Sequence, residues 1–152
     1  DALQVFRTEL MPLASLLTPN VPEAEILSGI KIETVDDMDR AANKICREAG
    51  CAVLVKGGHL DGNTKTDILY ADGQRVETFE ALTVETRNTH GTGCTLSSAI
   101  TAHLALGHTM ADAIRLAKNY LYKALEAGKD VEIGRGHGPV NHFFNPHPYY
   151  TK

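Results

Sequence analysis

At 152 residues, 43% of them hydrophobic and 22% charged, the chain has the size and composition of one soluble globular domain with a core to bury. A formal charge of −4 and the lack of any Lys/Arg run exclude the positive stripe that a phosphate backbone requires, so nucleic acid is not an expected partner. No apolar stretch is long enough to span a bilayer, DALQVFRTEL reads as an amphipathic helix rather than a secretion signal, and three cysteines cannot complete a paired set. A reduced, cytoplasmic setting is the expectation, without a membrane partner.

Leu3, Val5, Phe6 and Leu10 recur at helical spacing, predicting a helix over Ala2 to Met11 that Pro12 ends. The apolar run Leu13 to Leu17 predicts a brief buried strand, delivering Thr18-Pro19-Asn20 at its carboxyl end. Asn20 is placed to cap a helix with Pro22 and Glu23 in its first turn and Gly29 just past its end. Thr34 and Asp37 form a capping box, after which Val35, Met38, Ala42, Ile45, Cys46 and Ala49 trace one face until Gly50. Cys51-Ala52-Val53-Leu54-Val55 does not alternate, the pattern of a strand covered on both faces, and it runs into Lys56-Gly57-Gly58. Thr66 to Tyr70 and Arg75 to Phe79 flank Asp72-Gly73, which predicts a hairpin.

Further along, Cys94 opens a helix with Leu96, Ile100 and Leu104 four apart, ended by Gly107. Met110, Ala113, Ile114, Ala117, Leu121, Ala124 and Leu125 form the broad apolar face of the next, closed by Gly128. Gly134 to Lys152 reads as irregular. Strands alternating with helices indicate an α/β layered fold with a mainly parallel sheet, in which ligands lie beyond the carboxyl ends of strands. That rule singles out residues 18–23, 56–59 and 88–94.

In Asn88-Thr89-His90-Gly91-Thr92-Gly93-Cys94, the glycines remove side chains that would keep an anion from the amides at a helix start. A plain loop into a helix needs the same glycines, but a thiol in the first helical turn sits in a field that favours its anionic form, so Cys94 can take a proton or attack. Cys46, on an apolar helical face, and Cys51, at the start of a buried strand, read as packed and inert. Asn20 and Glu23, read as residues alone, suit a helix cap and a carboxylate that complements the helix dipole. Lys56 stands where a strand end meets ligand. Lys118 interrupts the apolar row Met110, Ile114, Leu121, Leu125, as a snorkelling side chain does. The seven histidines show no zinc-like spacing, and His137 and His142 are expected to order the tail.

The runs TPNVPEAEIL, VLVKGGH, NTHGTGCTLSSAI and GHGPVNHFF, in this order, closely resemble the hydroxymethylpyrimidine and phosphomethylpyrimidine kinases of thiamin biosynthesis. The resemblance covers Ala2 to about Phe144. It implies a ribokinase-like three-layer α/β/α fold and phosphate transfer from ATP to the pyrimidine alcohol and then to its monophosphate. In its terms Cys94 is the catalytic base; Gly91, Thr92 and Gly93 stabilise the moving phosphoryl group; Lys56 and Lys118 contact nucleotide phosphate; Asn20 and Glu23 organise Mg²⁺ and phosphate. Members of this family extend further at the amino end, where the pyrimidine pocket is built. The expectation is therefore a single incomplete kinase domain over residues 1–152, lacking its amino-terminal part, poor in turnover alone, and inclined to self-associate or to bind the missing portion. Pyridoxal or pyridoxine phosphorylation, a non-catalytic nucleotide-binding remnant, and a cysteine hydrolase using Cys94 with His90 as base are the competing readings.

Overall fold

The computed structural model describes residues 2–58 and 64–146, so the readings at His59 and His147 lie outside the described residues. Its contacts gather into two compact units, Asp1–Thr83 and Val84–Lys152.

The first unit holds a four-stranded sheet, β1 (Leu16–Leu17), β2 (Ala52–Lys56), β3 (Thr64–Ala71) and β4 (Gln74–Leu82), in that spatial order. Only β1 and β2 run parallel; β2 with β3 and β3 with β4 are antiparallel. The expected mainly parallel sheet is thus corrected to a mixed one, because an unbroken apolar run reports burial on both faces and says nothing of strand direction. Val53, Leu54 and Val55 are all at 0% exposure, facing antiparallel partners Tyr70, Leu69 and Ile68. The hairpin turns at Asp72 (φ 52) and Gly73 (φ 71), two left-handed residues whose twist matches the strands they join. Its strands extend beyond the sequence expectation to eight and nine residues.

Three expectations near the start change. In place of one helix over Ala2 to Met11 there are an α-turn, α1 (Ala2–Val5), a π-helical segment (Phe6–Leu10) and a 3₁₀ turn (Met11–Leu13). Pro12 sits inside that last turn rather than ending the helix, since a residue in a first helical turn needs no N–H partner. Leu13 is 81% exposed, so only Leu16 and Leu17 of the apolar run pair as a strand.

Two helices cover one face of this sheet. In α2 (Val21–Ser28), Asn20 Oδ1 accepts from Glu23 N at 2.9 Å and Glu23 Oε2 accepts from Asn20 N at 2.8 Å, a complete capping box, and Gly29 ends the helix at φ 69. In α3 (Val35–Ala49), Thr34 and Asp37 do the same. Met38, Ala41, Ala42, Ile45 and Cys46 from α3 join Val53, Val55, Ile68 and Tyr70 in one buried cluster. The Arg40 guanidinium, then the Thr34 hydroxyl and the Glu33 amide, hold the Asp37 carboxyl down at about 2. A carboxyl depressed by folding stabilises above its unfolded pKa, about 3.9, and loses that contribution as pH falls through its folded value. The α3 amino terminus is therefore expected to fray between about pH 4 and pH 2, read as loss of the Thr34 and Asp37 amide shifts in an NMR titration. Unchanged shifts across that window would contradict the assignment.

The second unit is a helix pair, α4 (Thr92–Ala105) and α5 (Met110–Gly128), followed by an irregular tail. Helix α4 begins at Thr92, ahead of the expected Cys94, and ends at Ala105, just before Gly107 turns the chain at φ 89. Leu96 and Ile100 from α4 and Ala113, Ile114, Ala117 and Ala124 from α5 are buried where the two helices pack. Among the described residues, no helix is long and apolar enough to cross a membrane.

Candidate active site

The candidate residues divide between the units. In the first, Lys56 closes β2 and Asn20 precedes α2; the two backbones meet in an isolated parallel bridge, and Lys56 N donates to Pro19 O at 2.9 Å. Asn20, Glu23 and Lys56 are therefore held at one carboxyl edge of the sheet, as strand ends feeding a ligand site should be. Sequence reasoning missed Asp67 here. This residue is 6% exposed, pairs in register with Lys56, and accepts Gly57 N–H at 3.0 Å on Oδ1. Its signal was available, a carboxylate among the inward positions of a hairpin strand, but only the register shows that it anchors the residue after Lys56.

Asn20 and Glu23 bond each other reciprocally, so the cap half of the double reading is what the geometry contains. Glu23 is nonetheless exposed, and its Oε1 is not used in the capping box. Among the described residues no three His, Cys, Asp or Glu groups converge on a metal position. A lone accessible carboxylate fits a hydrated Mg²⁺ and does not fit a dehydrated all-protein cage.

In the second unit the turn before α4 has the properties of an anion cradle. Asn20, Thr34 and Thr109 cap α2, α3 and α5 with their side chains, whereas α4 starts at Gly91, φ 86, with no side-chain cap. Thr92 N donates to Thr89 O at 3.3 Å and Thr95 N to Gly91 O at 2.8 Å. The amides of Gly93 and Cys94, between them in the first turn, have no helical carbonyl to bond and stay open to an external acceptor at the positive helix end. Cys94 is exposed and lines a cavity of about 590 Å³, bounded along α4 by Thr95, Ser98 and Ala102 and closed by Tyr120 and His142. Of the turn, Cys94 borders this cavity, whereas Gly91, Thr92 and Gly93 do not line it.

Lys118 is half-buried on α5 and does not line that cavity. Cys46 is buried and Cys51 partly so; burial, and secondly the neighbouring Cys46, push the Cys51 thiol up, which keeps it protonated. His142 stacks on Tyr120 with ring centroids 6.2 Å apart, and His137 Nδ1 donates to Arg87 O at 3.3 Å, so both histidines tie the tail to the rest of this unit. The backbone of His90, the base in the hydrolase reading, is bonded to the tail, with its N donating to Gly138 O at 3.0 Å.

Known proteins are similar to this chain in sequence and fold. The family model described as phosphomethylpyrimidine kinase matches residues 1–141. The hydroxymethylpyrimidine/phosphomethylpyrimidine kinase of Rhizobium meliloti is 47% identical over 144 residues, 94% of this chain and 54% of that protein. Among solved structures, the Staphylococcus aureus pyridoxal kinase in complex with AMP-PCP superposes with a TM-score of 0.86 at 33% identity, covering 93% of this chain and 52% of that one. The phosphomethylpyrimidine kinase of Clostridium difficile gives 0.66 at 42% identity, covering 82% of this chain and 48% of that one. The chain spans about half the length of these relatives, and it has their ribokinase-like α/β fold. An uncapped Gly-Thr-Gly-Cys helix start, a lysine at a strand end and a match along almost the whole length converge on one assignment: the chain belongs to the phosphomethylpyrimidine kinase family.

Proposed function

We propose that the chain is the nucleotide-handling portion of an ATP-dependent kinase that phosphorylates 4-amino-5-hydroxymethyl-2-methylpyrimidine and then its monophosphate. The observation that carries this reading is the uncapped amino terminus of α4, with two open amides beside an exposed thiol. Phosphoryl transfer asks a protein mainly to align the reactants and neutralise charge. The open amides of Gly93 and Cys94, in the turn that Gly91 and Thr92 begin, would bind the equatorial oxygens of the migrating phosphoryl group as charge builds on them. Cys94 Sγ, as thiolate, takes the hydroxyl proton; the freed oxygen bonds to the γ-phosphorus as the bond to ADP breaks. Lys56, at the end of β2, would pair with nucleotide phosphate, and Lys118 is proposed as a second phosphate contact. Mg²⁺, when bound with ATP, neutralises phosphate charge, and Glu23 with Asn20 would hold it through water.

A single kinase domain, completed by an amino-terminal portion or by a second copy, suits the first unit. There β1 has a neighbour on one side only, and Leu10, Leu13 and Ile26 are 59%, 81% and 59% exposed. Chemistry through a free thiol calls for a reducing compartment, the cytoplasm. Pyridoxal phosphorylation is the second reading, favoured by the similarity to pyridoxal kinase of TM-score 0.86.

Calorimetric titration of ATP with Mg²⁺, alongside ADP release with each alcohol, tests the proposal. The 152-residue chain is expected to bind ATP yet turn over slowly, and to phosphorylate the pyrimidine alcohol faster than pyridoxal once an amino-terminal portion is supplied. Absent ATP binding would sink the kinase reading; brisk turnover by the isolated monomer would sink the incompleteness.

A further inference from the structure

We infer that Asn88, locked by Gly138, is a positioning residue that sets the Gly91–Cys94 turn by pinning it to the far end of α5. This rests on the reading above that the turn receives an anion. Asn88 is 2% exposed, and both hydrogens of its amide are spent: Nδ2 donates to Gly128 O and to Val131 O, each at 2.7 Å. Gly128 O belongs to the last turn of α5, where carbonyls have no helical donor. One side chain therefore adds a donor to Gly128 O, which also accepts from Val131 N at 3.1 Å, and, through its own backbone, fixes the approach to the positive end of α4.

A second set of bonds places the same stretch. Asn88 N donates to Thr86 Oγ1 at 3.0 Å, and Thr86 Oγ1 donates to Lys129 O at 3.1 Å. His90 exchanges bonds with the tail, donating to Gly138 O at 3.0 Å and accepting from Val140 N at 3.4 Å, while Asn141 N donates to Ala124 O at 3.1 Å. The segment 138–141 thus lies as a strap between the turn and α5. Gly138 has to be glycine, because a Cβ there would stand 2.0 Å from Asn88 Oδ1.

The acceptor end of Asn88 identifies what the site demands. Asn88 Oδ1 is buried with no partner, an unfavourable arrangement that a residue serving only to fill space would avoid. What the side chain contributes is its two donors. Aspartate, of the same shape, would present negative charge to two carbonyls. The motifs NTHGTGC and GHGPVN therefore act as one device, although some 50 residues separate Asn88 from Gly138.

Hydrogen exchange of the backbone amides in the 152-residue chain, with calorimetric titration of ATP and Mg²⁺, tests this. In Asn88→Asp and Gly138→Ala the amides of Thr92 and Thr95, the two that are hydrogen-bonded in the turn, are expected to exchange about tenfold faster, with those around Ile114 in α5 unchanged, and ATP affinity should fall about tenfold. Lowering the pH to about 5 should partly restore the Asn88→Asp variant and not Gly138→Ala, because a protonated carboxyl regains one donor. If either variant fails to fold, Thr86→Val, which removes only the outer bonds, should show the same pattern at about threefold. Unchanged exchange in the turn, or equal acceleration throughout α5, overturns the inference. Wild-type chain that binds no ATP would overturn the kinase reading, while the exchange pattern still decides the positioning role.

Discussion

Cys94→Ala, in the chain completed by an amino-terminal portion, is expected to lower kcat by about two to four orders of magnitude while ATP affinity stays within about twofold. The thiol is exposed in the first turn of α4, and the phosphate-binding work is assigned to the backbone amides around it, which alanine retains. Removing Sγ therefore deletes the proton acceptor and leaves the cradle. Alanine also favours a helix, so the turn should not unravel. Steady-state kinetics with each substrate saturating, paired with calorimetry, separates the effects. Loss of ATP binding with unchanged turnover at saturation would show that the sulfur binds nucleotide rather than accepting a proton.

Gly57→Ala should be the most damaging small substitution in the sheet unit, lowering stability by about 2–3 kcal/mol. A Cβ at this position would stand 2.1 Å from Thr66 O, a backbone atom that cannot swing away, and 3.0 Å from the Met38 thioether. Gly57 N also donates to Thr66 O at 3.0 Å and to the buried Asp67 Oδ1 at 3.0 Å, so forcing the strands apart breaks both bonds. Lys56 would move with them, and ATP affinity should fall in parallel. Gly58 supplies the control, since its added Cβ meets only the Lys65 side chain at 4.0 Å and Gly58→Ala should fall within about 0.5 kcal/mol of wild type. Equal urea midpoints for the two variants would rule out close strand approach as the reason for glycine at position 57.

Caps and turns followed rules that span a few residues, and these were legible. Asn20 and Thr34 cap α2 and α3, Asp72-Gly73 turns the hairpin, and Met38, Ala42, Ile45 and Cys46 enter the core from one helical face. The glycine-rich turn before Cys94 was legible too, because two glycines just ahead of an apolar helical row mark a turn into a helix, although the helix starts at Thr92 and its missing side-chain cap is seen only in the structure. Strand direction was not, for burial on both faces of β2 is the same whether its neighbour runs with it or against it. Nor could the chain's order reveal that Asp67 anchors Gly57 or that Gly138 makes room for Asn88. By itself the sequence determined the caps, the hairpin turn, the apolar faces of α3 and α5, and the residue types at the start of α4, but not the segments between Ala2 and Leu17. Only the tertiary structure decided which distant backbone holds the start of α4 in place, because such a partner is selected by distance in space and leaves no periodicity along the chain.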